Sequence, residues 1–290
     1  MSANVLFVFG LGFSARTLAK QLLARGWTVR GTTRSPEKAE LLRESGIEAC
    51  LFDSASPLAD LAVLDGVTHL LSSAPPGPAG DPVLDLHAVD IAARARQIVW
   101  AGYLSTTGVY GDRGGDWVDE SATPDPATER GARRVAAEAG WRALGREHGL
   151  PIHFFRLAGI YGPGRNALET VRQGKARRII KEGQVFSRTH VEDIAAVLEA
   201  SIARPEPGAA YNVCDDDPAP PQDVVLHACE LLGVSPPPEI PIAEAELSAM
   251  ARSFYAESKK VSNARIKREL GVVLKYPDYR AGLAALLADS

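Results

Sequence analysis

Gly10-Leu11-Gly12-Phe13-Ser14-Ala15 has the Gly-x-Gly-x-x-Ala spacing that lets a backbone turn wrap a phosphate. The first glycine permits the turn. The second lets the main chain approach a pyrophosphate, and the small third residue lets the next helix pack on the preceding strand. The phosphates then lie at a helix N-terminus, where N–H groups and the helix dipole favour negative charge. Further along, Thr106 offers a hydroxyl, and Arg130 and Arg134 offer fixed positive charge four residues apart. Like charges one helical turn apart repel by about 0.2–0.5 kcal/mol, and an anion bound between them would reverse that sign. The alternative is a solvated face salt-bridged to Glu129 and Glu138.

Residues 5–9, VLFVF, form an apolar run of the kind found in strands buried on both faces. Ala15, Leu18, Ala19, Leu22 and Leu23 then recur at helical spacing, and Gly26 stops the helix. Further strands are expected at 27–33, 47–52, 67–73, 97–105, 152–157 and 209–214. Ser35-Pro36-Glu37 starts one helix, and others are expected from the breaker-rich loop 74–82 to about Arg96 and over 128–148. Alternating strands and helices predict a parallel, doubly wound α/β sheet. After Gly159 the elements shorten and are punctuated by glycine and proline. Two amphipathic helices, within 262–271 and 276–289, close the chain.

With 290 residues the chain can bury a large core, as one domain or two unequal lobes. A formal net charge of −4 argues against nucleic acid or an anionic membrane as the main partner. No apolar run approaches membrane-spanning length, and no signal-peptide pattern precedes the first strand. Cys50, Cys214 and Cys229 suit thiols in a reducing compartment, and a cytoplasmic protein is expected. No His, Cys or carboxylate spacing suggests a metal site. The acids of 215–217 read as a strand-to-helix turn.

Thr32-Thr33-Arg34-Ser35 ends the second strand, where an acid would favour NAD and an arginine would accommodate the 2′-phosphate of NADP. No carboxylate stands there. Thr33 and Arg34 therefore point to NADP, with NAD the alternative. Asp53, ending the third strand, is placed at the adenine amine or as a turn cap.

Four segments carry a resemblance. Residues 103–111, YLSTTGVYG, 156–165, RLAGIYGPGR, 188–195, RTHVEDIA, and 211–213, YNV, resemble in order the motifs of extended short-chain dehydrogenases/reductases, the NAD-dependent epimerase/dehydratase family. The resemblance implies a Rossmann domain over 1–160, to which 189–214 returns, and a small substrate lobe over 161–290. It implies hydride transfer at nicotinamide C4, a tyrosine acid/base with a lysine four residues later, and a Ser or Thr orienting the substrate oxygen. By position Thr106 is that hydroxyl. Gly10, Gly12, Phe13, Ser14 and Ala15 hold the dinucleotide, and Ser73, Ala74 and Pro75 border the nicotinamide ribose. Arg165 and Arg188 are implied ligands of a substrate anion. Tyr110 and Tyr161 are the remaining phenols near the expected site, assigned to the substrate, with half-buried packing as the alternative. Tyr103 should share a strand face with Ser105 rather than with Thr106. The expected partners are thus a dinucleotide and a small molecule, with a homodimer left open.

One departure stands out. Aligned on Glu138, the tyrosine position is Arg130 and the lysine position is Arg134, and no tyrosine lies between Tyr110 and Tyr161. Arginine stays protonated and cannot exchange a proton with an alkoxide near neutral pH. Arg134 could still donate to the nicotinamide ribose, and Arg130 could hold an anionic group. The chain therefore resembles the family's atypical members. An enzyme with non-standard acid/base groups and a dinucleotide-sensing module both fit.

Overall fold

The computed structural model describes residues 4–289. The first part of the chain runs β1 (Val5–Phe9), α1 (Phe13–Ala24), β2 (Thr28–Thr33), α2 (Pro36–Glu44), β3 (Glu48–Leu51), β4 (His69–Ser72), α3 (Pro82–Arg94) and β5 (Trp100–Thr106). Next come β6 (Trp117–Val118), α4 (Glu129–His148), β7 (Ile152–Leu157), β8 (Gly159–Tyr161), α5 (Ala167–Arg172), β9 (Arg178–Ile180), β10 (Arg188–His190), α6 (Val191–Ala203) and β11 (Ala210–Val213). The last elements are α7 (Pro221–Leu232), β12 (Glu239–Pro241), α8 (Ala249–Tyr255), β13 (Lys260–Val261), α9 (Ala264–Leu270) and α10 (Tyr279–Ala288).

Seven strands form one sheet in the order β11-β7-β5-β4-β1-β2-β3. β1 pairs in parallel with β2 on one side and β4 on the other, so the strand order reverses at β1. In open α/β sheets ligands bind at the carboxyl ends of strands beside such a reversal. This is the expected doubly wound α/β fold. All five β1 side chains are buried, because β1 is central and covered on both faces. Helix α1 buries Ser14, Ala15, Leu18, Ala19 and Leu22. Ser35 caps α2 by accepting from the Lys38 N–H, with Pro36 in the first turn. Asp81 caps α3 by accepting from the N–H groups of Val83 and Leu84.

The chain divides into two compact units. The first takes in residues up to Thr106, with Ala132–Arg156 and Ala195–Tyr211; the second takes in Thr107–Gly131, Leu157–Ile194 and residues from Asn212 onward. A large core in the first unit is built on Phe7, Phe9, Leu70, Tyr103, Trp141 and Phe154. In the second, Tyr161, Leu168, Val224, Ala228, Tyr279 and Leu283 cluster. Pairs of very short strands brace the second unit: β8 with β10, β9 with β12, and β6 with β13. Cys50, Cys214 and Cys229 are free thiols. Among the described residues no helix is long and apolar enough to cross a membrane.

Candidate functional site

The β1–α1 turn is built from its glycines. Gly10 has φ +86°, a left-handed backbone that favours glycine. A Cβ there would stand 3.1 Å from the Ala74 amide nitrogen. The turn is held by Gly10 N–H donating to Thr32 Oγ1 at 2.8 Å and Leu11 N–H donating to the Thr32 carbonyl at 2.8 Å. Thr32, which the spacing of the turn does not reveal, thus ties the end of β2 to the turn.

Gly12 differs. It is exposed, its φ is an ordinary −83°, and a Cβ would meet only the Gly10 carbonyl, at 4.0 Å. The protein's own packing therefore does not require glycine at position 12. No side chain caps α1, whose N-cap is Gly12 itself. Phe13 is half-buried at the start of the helix, while Ser14 and Ala15 are buried against the sheet.

Thr33 is half-buried and accepts from the Ser35 N–H at 3.4 Å, and Arg34 is exposed just beyond β2. The Glu37 carboxylate is engaged by the Ser35 hydroxyl, which holds it below the usual carboxylate range. Asp53 is exposed, and one carboxylate oxygen accepts from the Ala55 N–H at 2.9 Å, closing the turn after β3. Ser73 N–H donates to the Phe9 carbonyl at 2.8 Å. This sets Ala74 against Gly10, with Pro75 exposed beyond it. The glycine turn, the end of β2 and residues 73–75 thus meet at the carboxyl ends of β1, β2 and β4.

Thr106 is half-buried at the end of β5. The residues before it alternate as expected. Tyr103 receives a hydrogen bond from Arg134 Nη1 at 3.2 Å, and Ser105 Oγ donates to Glu138 Oε1 at 2.6 Å, so both meet α4. Arg134 Nη1 also donates to the Leu104 carbonyl. Glu138 is clamped by Arg156 through Nε at 3.1 Å and Nη2 at 2.8 Å. Tyr103 is buried on Trp141, and burial drives its hydroxyl well above the usual phenol range. Arg130, in the first turn of α4, is exposed with its guanidinium 5.8 Å from the Phe254 ring centroid.

The remaining candidates lie in the second unit. Tyr110 is buried and donates to Asn212 Oδ1 at 2.7 Å; Asn212 in turn donates to the Ser262 carbonyl at 3.1 Å. Arg165 is exposed and closes a reciprocal backbone bridge with Gly162. Tyr161 is buried, its hydroxyl 3.4 Å from the Asp278 carbonyl, and burial raises it above the usual phenol range. Arg188 Nη1 donates to the carbonyls of Phe186 at 2.8 Å and Ala219 at 3.0 Å. Burial lowers the Arg188 guanidinium from its ordinary value, against the favourable charge of Asp215. Tyr161 and Arg188 are therefore neighbours of Asp215, in the turn that follows β11. Nearby, His190 packs on Tyr161 and Tyr276, and burial lowers it to about 4. The two Asp193 carboxylate oxygens accept from the N–H groups of Lys275 and Tyr276. Among the described residues no group of three or more His, Cys, Asp or Glu is placed to hold a metal ion.

Known proteins share this fold. The profile of the NAD dependent epimerase/dehydratase family matches residues 6–214. Protein YeeZ of Escherichia coli K12 is 31% identical over 284 residues, covering 93% of this chain and 96% of that protein. A solved structure of a functionally unknown conserved protein from Silicibacter pomeroyi is 55% identical, with a TM-score of 0.91 and 99% of each chain covered. UDP-glucuronic acid 4-epimerase from Bacillus cereus, solved in complex with NAD, shares the fold at 17% identity. Its TM-score is 0.76, over 97% of this chain and 96% of that one.

Proposed function

The chain belongs to the NAD-dependent epimerase/dehydratase family, and on that premise we propose that it is an NADP-dependent oxidoreductase or epimerase-like enzyme acting on a small anionic or sugar-like substrate. Gly10, Gly12, Phe13, Ser14 and Ala15 take the pyrophosphate at the start of α1. Thr33 and Arg34 take the adenosine ribose and its 2′-phosphate, and Asp53 lies toward the adenine. Ser73, Ala74, Pro75 and Arg134 border the nicotinamide ribose. When bound, the nicotinamide supplies or accepts the hydride.

The observation that supports this cradle most is Gly12, whose missing side chain answers to no neighbour within the chain. Arg34 supports NADP over NAD. It is exposed at the β2 terminus, and the first acid after it, Glu37, is turned onto Ser35.

On the substrate side Thr106 orients the reacting oxygen, and Arg130 supplies fixed positive charge to an anionic group. Tyr161, Arg165 and Arg188 contact the rest of the substrate, whereas Tyr110, fully buried with its hydroxyl on Asn212, takes the packing role. Arg130 and Arg134 stand where the family's tyrosine and lysine would stand. Neither arginine can exchange a proton near neutral pH, so their contribution is electrostatic.

A second reading, a module that senses NADP(H) without turning it over, is favoured by two hydrogen bonds of Arg134. Arg134 spends Nη1 on the Leu104 carbonyl and the Tyr103 hydroxyl, fastening α4 to β5. NADPH oxidation against a panel of carbonyl compounds and nucleotide sugars separates the two. The enzyme reading expects turnover that Thr106→Ala abolishes. Tight NADPH binding with no hydride transfer to any of them selects the sensor.

A further inference from the structure

Glu138 and Asp215 are carboxylates buried to similar degrees, 5% and 2% exposed. Glu138 is fully partnered. Neither oxygen of Asp215 has a hydrogen-bond partner among the described residues. Its acidic neighbours on the same turn are compensated, Asp216 by Lys267 at 2.5 Å and Asp217 by Arg280 at 2.6 Å. Asp215 alone has no ion-pair contact, although its own N–H donates to the Arg188 carbonyl at 2.7 Å. A buried carboxylate without donors strongly disfavours its own charge.

We propose that Asp215 is the buried counter-ion of Arg188, a positioning residue whose protonation sets how strongly Arg188 holds an anionic substrate group. The proposal rests on the reading of Arg188 as a substrate-anion ligand.

The geometry separates the two side chains by task. The Arg188 guanidinium is fixed by the Phe186 and Ala219 carbonyls rather than by Asp215, with its carbon 5.9 Å from the Tyr279 ring centroid. Its position therefore does not depend on the charge of Asp215. The local field does. With Asp215 neutral, Arg188 presents an uncompensated positive charge to an incoming anion. With Asp215 ionised, the pair is neutral and the attraction is largely cancelled.

The groups that face Asp215 are Arg188 of β10, Tyr161 of β8, Cys214 at the end of β11, and Asp216 and Asp217 on its own turn. Tyr279 of α10 and Tyr255 of α8 face Arg188. The phenols and the thiol are raised by burial and stay neutral through neutral pH. Asp215 is the group left to titrate there: burial pushes it up to about 8, against the favourable charge of Arg188. Substrate binding by this corner is then linked to retention of one proton. By reciprocity a bound anion raises Asp215 further.

Sulfate is a suitable probe, because it carries the same charge throughout neutral and mildly alkaline pH. Its affinity for the full-length protein is read from the Arg188 Nε–H and Asp215 amide resonances at a series of pH values. The Asp215 carboxyl carbon is titrated in parallel in the wild type. The expected result is a loss of up to about tenfold in affinity between about pH 7 and about pH 9. Asp215→Asn should abolish that slope, Asp215→Glu should restore it, and sulfate should move the wild-type carboxyl titration to higher pH.

Arg188-dependent binding whose pH slope is unchanged in Asp215→Asn overturns the counter-ion role and leaves the anion-ligand reading intact. An Asp215 carbon titrating in the ordinary carboxylate range overturns the counter-ion role without any variant. Sulfate that perturbs neither resonance at any pH, in wild type or Asp215→Asn, overturns the anion-ligand reading itself.

Discussion

Glu138, in the first unit, accepts from Ser105 and is gripped in two places by Arg156; Asp215, in the second, has Arg188 nearby and no hydrogen bond from it. Both are buried acids in the vicinity of an arginine. In the first unit the ionic hydrogen bonds are complete, and α4 is fastened to β5 and β7. In the second unit the arginine's donors go to backbone carbonyls, so its carboxylate partner stays free to gain or lose a proton. The contrast shows how the same residue types give rigidity in one place and responsiveness in another. What decides is where the guanidinium's hydrogens go, not the proximity of opposite charges.

The largest effect that tests this contrast is on Glu138. Glu138→Ala removes the buried carboxylate that Ser105 and Arg156 both engage and should cost about 3–5 kcal/mol of unfolding free energy. Denaturant melts check it. A loss below about 1 kcal/mol would mean that the clamp is not the rigid half of the comparison.

Next comes pH-dependent stability at Asp215. Its folded-state value of about 8 lies above the ordinary 3.8, so the folded protein holds this proton more tightly than the unfolded chain does. The resulting stability is full below about pH 4 and is lost as pH rises toward the folded value. Asp215→Asn does not titrate. It should therefore be the more stable protein near pH 8, relative to the wild type, by an amount on the order of a few kcal/mol. Parallel unfolding profiles of the two proteins across that range would remove the distinction between the two acids.

A smaller effect is expected at Arg134, whose charge-assisted bonds reach Leu104 and Tyr103. Arg134→Met should lower stability by about 1.5–3 kcal/mol, with the α4–β5 amides losing hydrogen-exchange protection. Unchanged exchange would separate Arg134 from the fastening role. The smallest effect concerns cofactor choice. Arg34→Ala should weaken NADPH by about tenfold and leave NADH unaffected, as read by fluorescence titration. Equal weakening of both would take Arg34 away from the 2′-phosphate.

The sheet was legible because its information is local. Residues 5–9 and 152–157 read as strands at their observed bounds, and α4 was placed to within a residue. In these stretches the apolar runs and caps agree with the tertiary environment. The three pairs of short strands in the second unit were not read. Strands of two or three residues carry no period, and β6 meets β13 only across more than a hundred residues of chain.

The candidate site divides the same way. Gly10 and Gly12 could be read because a contiguous turn holds them, and the facing of Tyr103 and Ser105 followed from strand alternation. Thr32's grip on Gly10 and the backbone bond from Asp215 to Arg188 join distant segments. Nothing in a run of three aspartates marks one as unpartnered while the other two are paired.

The most direct test of the central claim is NADPH titration of Gly12→Ala beside the wild type, with the melting temperature of each measured without nucleotide. A methyl group at position 12 meets no protein atom nearer than 4.0 Å. The account therefore predicts an unchanged melting temperature and a loss of NADPH affinity of about a hundredfold or more, as the methyl occupies the space of the pyrophosphate. Wild-type affinity in a normally folded Gly12→Ala protein would contradict it.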